Sequence, residues 1–86
     1  MTPVQKSVIQ FIHSTSGSDL EISLTTDLLI ENIMDSLLLM ELVLLIENRW
    51  NVQLQGSDIA PVNFRTVANL SDLIETRRTA AQGLVA

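Results

Sequence analysis

The chain contains no cysteine and only one histidine, His13. Without cysteine it can form no disulfide framework, no thiolate metal site and no thiol nucleophile, and a single histidine disfavours a zinc site built from protein side chains alone. Five basic residues stand against ten acidic ones, which gives a net charge of −5. Nucleic acid is therefore not expected as a partner, because its phosphates require lysine and arginine.

Aromatic, proline and glycine residues are also scarce, with one tryptophan, two phenylalanines, two prolines and three glycines in 86 residues. A chain of this length forms one small domain with one core. The apolar fraction of 47% is typical of a folded domain, whose core must here be aliphatic. So few helix breakers favour an all-α fold.

The N-terminus opens on Thr-Pro and a mixed polar pattern, which does not resemble a secretory leader. No apolar run reaches the roughly 20 residues that a membrane-spanning helix needs. We therefore expect a cytoplasmic, monomeric protein with no membrane partner.

Two of the longer helices have clear start signals. Thr2, Pro3 and Gln5 predict a capping box at the start of the first helix, and Thr66 is a suitable N-cap for the last helix, which we expect to end near Arg78. Each helix has an apolar stripe at helical spacing: Val4, Val8, Phe11 and Ile12 in the first, and Val67, Leu70, Leu73 and Ile74 in the last.

Between the helices, Leu20, Ile22 and Leu24 alternate like a strand that has no partner. We interpret residues 20–34 as an ordered loop that tucks apolar side chains into the core, with one helical turn at 27–31; loops of this length are usually functional. A short helical turn is predicted around residues 57–60. The sequence thus predicts a small four-helix bundle of three longer helices and one short one, with a domain at 1–79 and a flexible tail at 80–86.

The helix at 36–50, which Asp35 caps, has two apolar faces. At 100° per residue a core stripe forms on one side, flanked by Leu38 and Leu45: Leu39, Leu42, Val43, Ile46 and Trp50. On the opposite side lie Leu37, Met40 and Leu44, rimmed by Glu41, Glu47 and Asn48. A second apolar patch with a polar rim is typical of an interaction surface, although the long loop could cover it, or Leu37 and Leu44 could form a homodimer contact.

Ser36 lies in the first turn of this helix. Unpaired N–H groups and the positive end of the helix dipole favour an attached phosphate there. Asp35 places a carboxylate next to the hydroxyl, where it could hold a metal ion or orient an incoming group. The pattern describes a serine suited to carrying a phosphate ester.

The stretch "MDSLLLMELVLLIENRW" resembles the Asp-Ser-Leu motif and following helix of the acyl and peptidyl carrier proteins. "TTDLLIENIMDSL" looks like the family's approach to its serine, and "DIAPVNFRTVANLSDLI" is similar to its third and fourth helices. The resemblance covers roughly residues 4–76 and implies the small helical bundle of that family.

The resemblance implies that Ser36 bears 4′-phosphopantetheine, which a phosphopantetheinyl transferase attaches from coenzyme A. It implies no enzyme activity but a carrier whose imported thiol holds an acyl or aminoacyl thioester. A cargo-loading ligase or acyltransferase and a downstream synthase or transferase would then bind the outer face of the second long helix, at Leu37, Met40, Glu41, Leu44 and Glu47.

The sequence departs from the family pattern in two places. Asn32 and Met34 stand where many members have glycine before Asp-Ser, although asparagine tolerates left-handed backbone angles. The recognition helix is also less acidic than in carriers of general fatty-acid synthesis, with Leu38, Leu44 and Arg49. We therefore favour a carrier of a dedicated pathway over a general fatty-acid-synthesis carrier. The absence of neighbouring domains favours a freestanding carrier, with an excised piece of a larger synthase as the alternative.

Two other classes of function compete with a carrier. A serine hydrolase could combine Ser36, His13 and an aspartate, but the sequence has no nucleophile elbow and no strand to support one. A helical interaction module without a cofactor would also start a helix with Asp-Ser. Exposure of Asp35 and Ser36 would discriminate between a carrier and such a module.

Overall fold

The computed structural model describes residues 1–17 and 21–85, with side chains described up to residue 79. These described residues form three α-helices, α1 (Pro3–Ser16), α2 (Ser36–Trp50) and α3 (Val67–Val85), with two 3₁₀-helices between α2 and α3, at Gly56–Asp58 and Pro61–Phe64. The described residues contain no strand. The predicted all-α fold is confirmed, with its short fourth element made of two 3₁₀ turns.

The helix ends follow the local signals in the sequence. Thr2 Oγ1 accepts the Gln5 N–H at 3.1 Å, and Gln5 Oε1 accepts the Thr2 N–H at 2.9 Å, which completes the capping box. At the other end of α1, Gly17 adopts a left-handed φ of 65°. Thr66 Oγ1 accepts the Asn69 N–H at 3.1 Å, so the predicted cap of α3 is confirmed.

The core is almost entirely aliphatic and lies where the three helices meet. Phe64 is the one fully buried aromatic side chain among the described residues. Apolar residues of the long loop complete the core as predicted, namely Ile22, Leu28, Ile33 and Met34; Leu20 lies outside the described residues. The loop therefore belongs to the folded body of the domain.

The predicted end of the last helix near Arg78 is wrong, because α3 continues to Val85. Ala80 and Ala81 follow directly, and alanine is the best helix former, so the backbone can extend the helix without a tertiary partner. The flexibility of residues 80–86 stays a prediction.

A buried carboxylate organises the connection between α2 and α3. Asp58, only 6% exposed, receives two hydrogen bonds from Arg77 of α3, at 2.6 and 2.8 Å, and one from the Gln55 N–H at 2.8 Å. The hydrogen bond from Arg77 keeps the pKa of Asp58 below its ordinary value of 3.8, against the opposing effect of burial. This ion pair attaches the first 3₁₀-helix to α3.

Within the described ranges, no helix combines the length and apolarity needed to cross a bilayer. The same residues contain no group of three or more histidine, aspartate or glutamate side chains that could hold a metal ion.

Candidate functional site

Asp35 and Ser36 stand at the start of α2, and both are exposed. Asp35 is extended, and its carboxylate accepts the Leu38 N–H at 2.8 Å, so the predicted N-cap is confirmed. Its main-chain carbonyl accepts the Leu39 N–H at 2.9 Å. Since the carboxylate is occupied by the cap, its first role is to fix the helix start beside Ser36.

The Ser36 hydroxyl and the N–H groups of Ser36 and Leu37 have no hydrogen-bond partner in the part of the chain that the structure describes. These are first-turn N–H groups, which no helical carbonyl can reach. Two free donors at the positive end of the helix dipole favour an anion bonded to the adjacent hydroxyl. An exposed, unpartnered serine beside them therefore fits a phosphate ester.

The approach to Ser36 is a tight turn with a left-handed residue. Asn32 has a φ of 60°, in the region that asparagine enters more easily than most residues. The Leu28 carbonyl accepts the N–H groups of both Ile33 and Met34 at 2.9 Å. These bonds fix the two residues that precede Asp35, so Asn32 provides the left-handed turn that leads to the start of α2.

Asp27 stabilises the start of the same turn. Its carboxylate accepts the N–H groups of Leu29 at 3.1 Å and Ile30 at 3.0 Å, and it forms an ion pair with Arg65 at 2.6 Å. The hydrogen bond from the Ile30 N–H is the largest cause that lowers the pKa of Asp27, and Arg65 adds to it. The predicted turn at 27–31 is confirmed by the Glu31 N–H, which donates to the Asp27 carbonyl at 3.0 Å.

A cleft of about 320 Å³ adjoins the start of α2. The end of α1 forms one wall with Thr15 and Ser16, and the turn before α2 forms another with Glu31. Asp35, Leu37, Leu38 and Glu41 of the helix region line the remainder, with Asn32 and Ile33. The sequence did not predict that α1 residues line this cleft, because no sequence pattern connects them with Ser36 across the long loop.

The outer face of α2 is open to solvent. The exposed fractions are 68% for Leu37, 53% for Met40 and 58% for Leu44, so the long loop does not cover this face. Glu41 is half-buried at the edge of the cleft. Glu47 accepts the Leu54 N–H at 3.1 Å, and its carboxylate therefore also holds the chain that follows α2.

The inner face of α2 differs from the helical projection in its details. Leu42, Val43 and Ile46 are buried as predicted, whereas Leu39 and Trp50 are half-buried. Leu38, predicted to flank the stripe, is only 4% exposed. It borders the cleft beside the end of α1 and the turn before α2, and a projection of one helix cannot include such neighbours.

A family model described as "phosphopantetheine attachment site" matches residues 6–74. The match covers most of the chain, which therefore belongs to this family of carrier domains. Members of the family carry covalently attached 4′-phosphopantetheine, interact with the enzymes that modify and use them, and are not catalysts themselves. No curated protein and no solved structure matched the chain.

Proposed function

We propose that Ser36 is the attachment residue, and that the arm on Ser36 presents an acyl or aminoacyl thioester to partner enzymes. The observation that carries the proposal is the exposed, unpartnered Ser36 hydroxyl at the start of α2. The arm, when bound, supplies the thiol that a chain without cysteine lacks.

The chain's own residues prepare this ester bond. Asp35 fixes the first turn of α2 through the Leu38 N–H, and the N–H groups of Ser36 and Leu37 remain available to donate to a phosphate on Ser36. Forming the ester would bond Ser36 Oγ, with loss of its proton, to the phosphorus of the arm, and would break the phosphoanhydride bond of coenzyme A with release of adenosine 3′,5′-bisphosphate. The helix dipole would stabilise the negative phosphate that remains on Ser36. No other described serine combines exposure with the start of a long helix and an aspartate cap.

The outer face of α2 is the docking surface in this proposal, with Leu37, Met40 and Leu44 at its centre. When a partner covers these three large apolar side chains, the free energy falls by about 25 cal/mol for each Å² of apolar surface that is removed from water. The partners are a phosphopantetheinyl transferase, a loading ligase or acyltransferase, and a downstream synthase or transferase. Glu41 lies at the rim, where charge acts mainly on the rate of encounter.

The residues of this surface favour a role as the carrier of a dedicated biosynthetic pathway. Its centre is apolar, Glu47 is engaged with Leu54, and Arg49 adds a positive charge near the end of α2. Partners that bind it need apolar grooves more than basic patches. We therefore favour a carrier with its own ligase or synthase over a carrier of general fatty-acid synthesis.

The test of attachment is intact-mass spectrometry after incubation with coenzyme A, Mg²⁺ and a broad-specificity phosphopantetheinyl transferase. The parent protein is expected to gain one phosphopantetheine, and Ser36→Ala is expected to remain folded and gain none. Ser57→Ala is the matched control, because Ser57 is also an exposed serine in a helical turn, and it should be modified like the parent. Equal modification of Ser36→Ala would show that the attachment residue is another one.

A further inference from the structure

The turn that leads to Ser36 is tied to one short stretch, residues 65–68. Arg65 Nε donates to Asp27 Oδ2 at 2.6 Å. The Leu28 N–H donates to the Arg65 carbonyl at 2.8 Å, and the Ala68 N–H donates to the Leu24 carbonyl at 3.0 Å. The long loop is thus held against the beginning of α3 by one ion pair and two main-chain bonds.

From Arg65 a continuous path of bonds reaches the attachment residue. Asp27 is paired with Arg65 and is followed by Leu28, whose carbonyl accepts the N–H groups of Ile33 and Met34. The next residues along the chain are Asp35 and Ser36. Every step of this path is a hydrogen bond or a peptide bond.

We infer that Arg65 is a positioning residue for the modification of Ser36, through the ion pair with Asp27 and the turn that it holds. The inference rests on the proposed attachment at Ser36. When the ion pair is present, the turn stays in the conformer that presents Ser36 at the start of α2. When it is absent, other conformers of the turn are populated, and a smaller fraction of the molecules can bind the transferase. The apparent dissociation constant for the transferase rises in inverse proportion to that fraction.

The effect of Arg65 is local to this turn. Its side chain is 49% exposed, and exposed ion pairs contribute little to global stability. The main-chain bonds between Leu28 and Arg65 and between Ala68 and Leu24 remain when the side chain is changed. An Arg65 variant therefore keeps the fold and changes the equilibrium of the turn alone.

The experiment compares Arg65→Gln, Arg65→Lys and Asp27→Asn with the parent in two measurements. The first is amide hydrogen exchange at Ile33 and Met34, read by NMR on the unmodified protein. The second is the steady-state kinetics of arm transfer with the carrier as the varied substrate. Arg78→Gln is the matched control, because Arg78 forms a similar exposed ion pair, with Glu75 at 3.1 Å, away from the loop.

For Arg65→Gln we expect exchange at Ile33 and Met34 to be about two- to fivefold faster, the range that an exposed ion pair supplies. KM for the carrier should rise measurably, by at most the same factor and with kcat unchanged, because KM depends on the fraction of competent molecules. Arg65→Lys should return the exchange rates and KM most of the way to the parent values. The double variant Asp27→Asn with Arg65→Gln should show exchange rates and a KM no higher than those of Arg65→Gln alone. In about 1 M salt, where the Debye length is about 3 Å, the exchange rates and KM of the parent should approach those of Arg65→Gln, because the ion pair is screened.

The inference is overturned if Arg65→Gln matches the parent in exchange and KM, or if Arg78→Gln changes both as much. A change in kcat alone would also overturn it, because a population effect acts on KM. Failure of the proposed function looks different: the parent itself would gain no arm at Ser36, while the exchange rates would still report whether Arg65 holds the turn.

Discussion

The two faces of α2 are built from the same kind of residue and have opposite environments. Leu42 and Ile46 on the inner face are 0% exposed, whereas Leu37 and Leu44 on the outer face are 68% and 58% exposed. A fully buried leucine contributes about 1.5–3 kcal/mol relative to an exposed one. The inner side chains therefore stabilise the fold, and the outer ones can contribute only when another molecule covers them.

The comparison also explains why this helix is so apolar. A helix of a small domain needs only one apolar stripe to fold. The second face adds nothing to folding and exposes the protein to nonspecific association. The proposed partner binding would account for these residues, which folding leaves unexplained.

The largest effect is expected on the inner face. Leu42→Ala removes a fully buried side chain from the core and should lower the free energy of unfolding by about 2–5 kcal/mol. Leu44→Ala, the same change two residues further along the helix, should alter it by less than about 0.5 kcal/mol. Urea unfolding followed by circular dichroism measures both. Equal losses would show that the two faces do not differ in their contribution to folding.

The next largest effect is expected on the outer face, in partner binding. Leu44→Glu should reduce loading by the cognate ligase or synthase by about 10- to 100-fold, since a charge would be buried unpaired in the docked interface. Circular dichroism and the unfolding midpoint should stay close to those of the parent.

Gln10→Glu on the exposed side of α1 carries the same added charge and serves as the control for Leu44→Glu. It should load like the parent protein. Normal loading of Leu44→Glu would exclude the outer face as the docking surface, and light scattering of the parent would then test the homodimer alternative.

The smallest effect is expected at the rim of the outer face. Glu41→Lys should slow association with the partner a few-fold at low salt and much less at high salt, because rim charges act on encounter and are screened. The measurement is the association rate at two salt concentrations. Glu47→Lys is a less suitable variant, because it also removes the hydrogen bond to the Leu54 N–H. A Glu41→Lys effect that does not change with salt would indicate direct contact at the centre of the interface.

The features that sequence predicted best are those decided within a few residues. Asp35 caps α2 because its carboxylate reaches a N–H group three residues ahead. Asn32, a residue that tolerates left-handed backbone angles, turns the loop with a φ of 60°. Each depends on the geometry of one side chain and its neighbours, so a local pattern is sufficient to predict it.

The features that sequence missed depend on distant pairs. Asp58 and Arg77 are 19 residues apart, and Arg65 and Asp27 are 38 apart, so no helical or strand period connects them. The burial of Leu38 also depends on neighbours outside its own helix. The helix start at Ser36, the proposed attachment residue, was within reach of sequence reasoning because its signals are local, whereas the bonds that hold the preceding turn in place were not.

Trp50 gives the domain a built-in optical reporter. It is the sole tryptophan in a chain without tyrosine, it packs half-buried against the core at the end of α2, and the Arg49 guanidinium lies 5.7 Å from its ring centre. Ser36 is at the opposite end of the same helix, about 20 Å away at 1.5 Å per residue. Its emission therefore reports the packing of the inner face without any added label, so core integrity can be followed by fluorescence while modification at Ser36 is followed by mass.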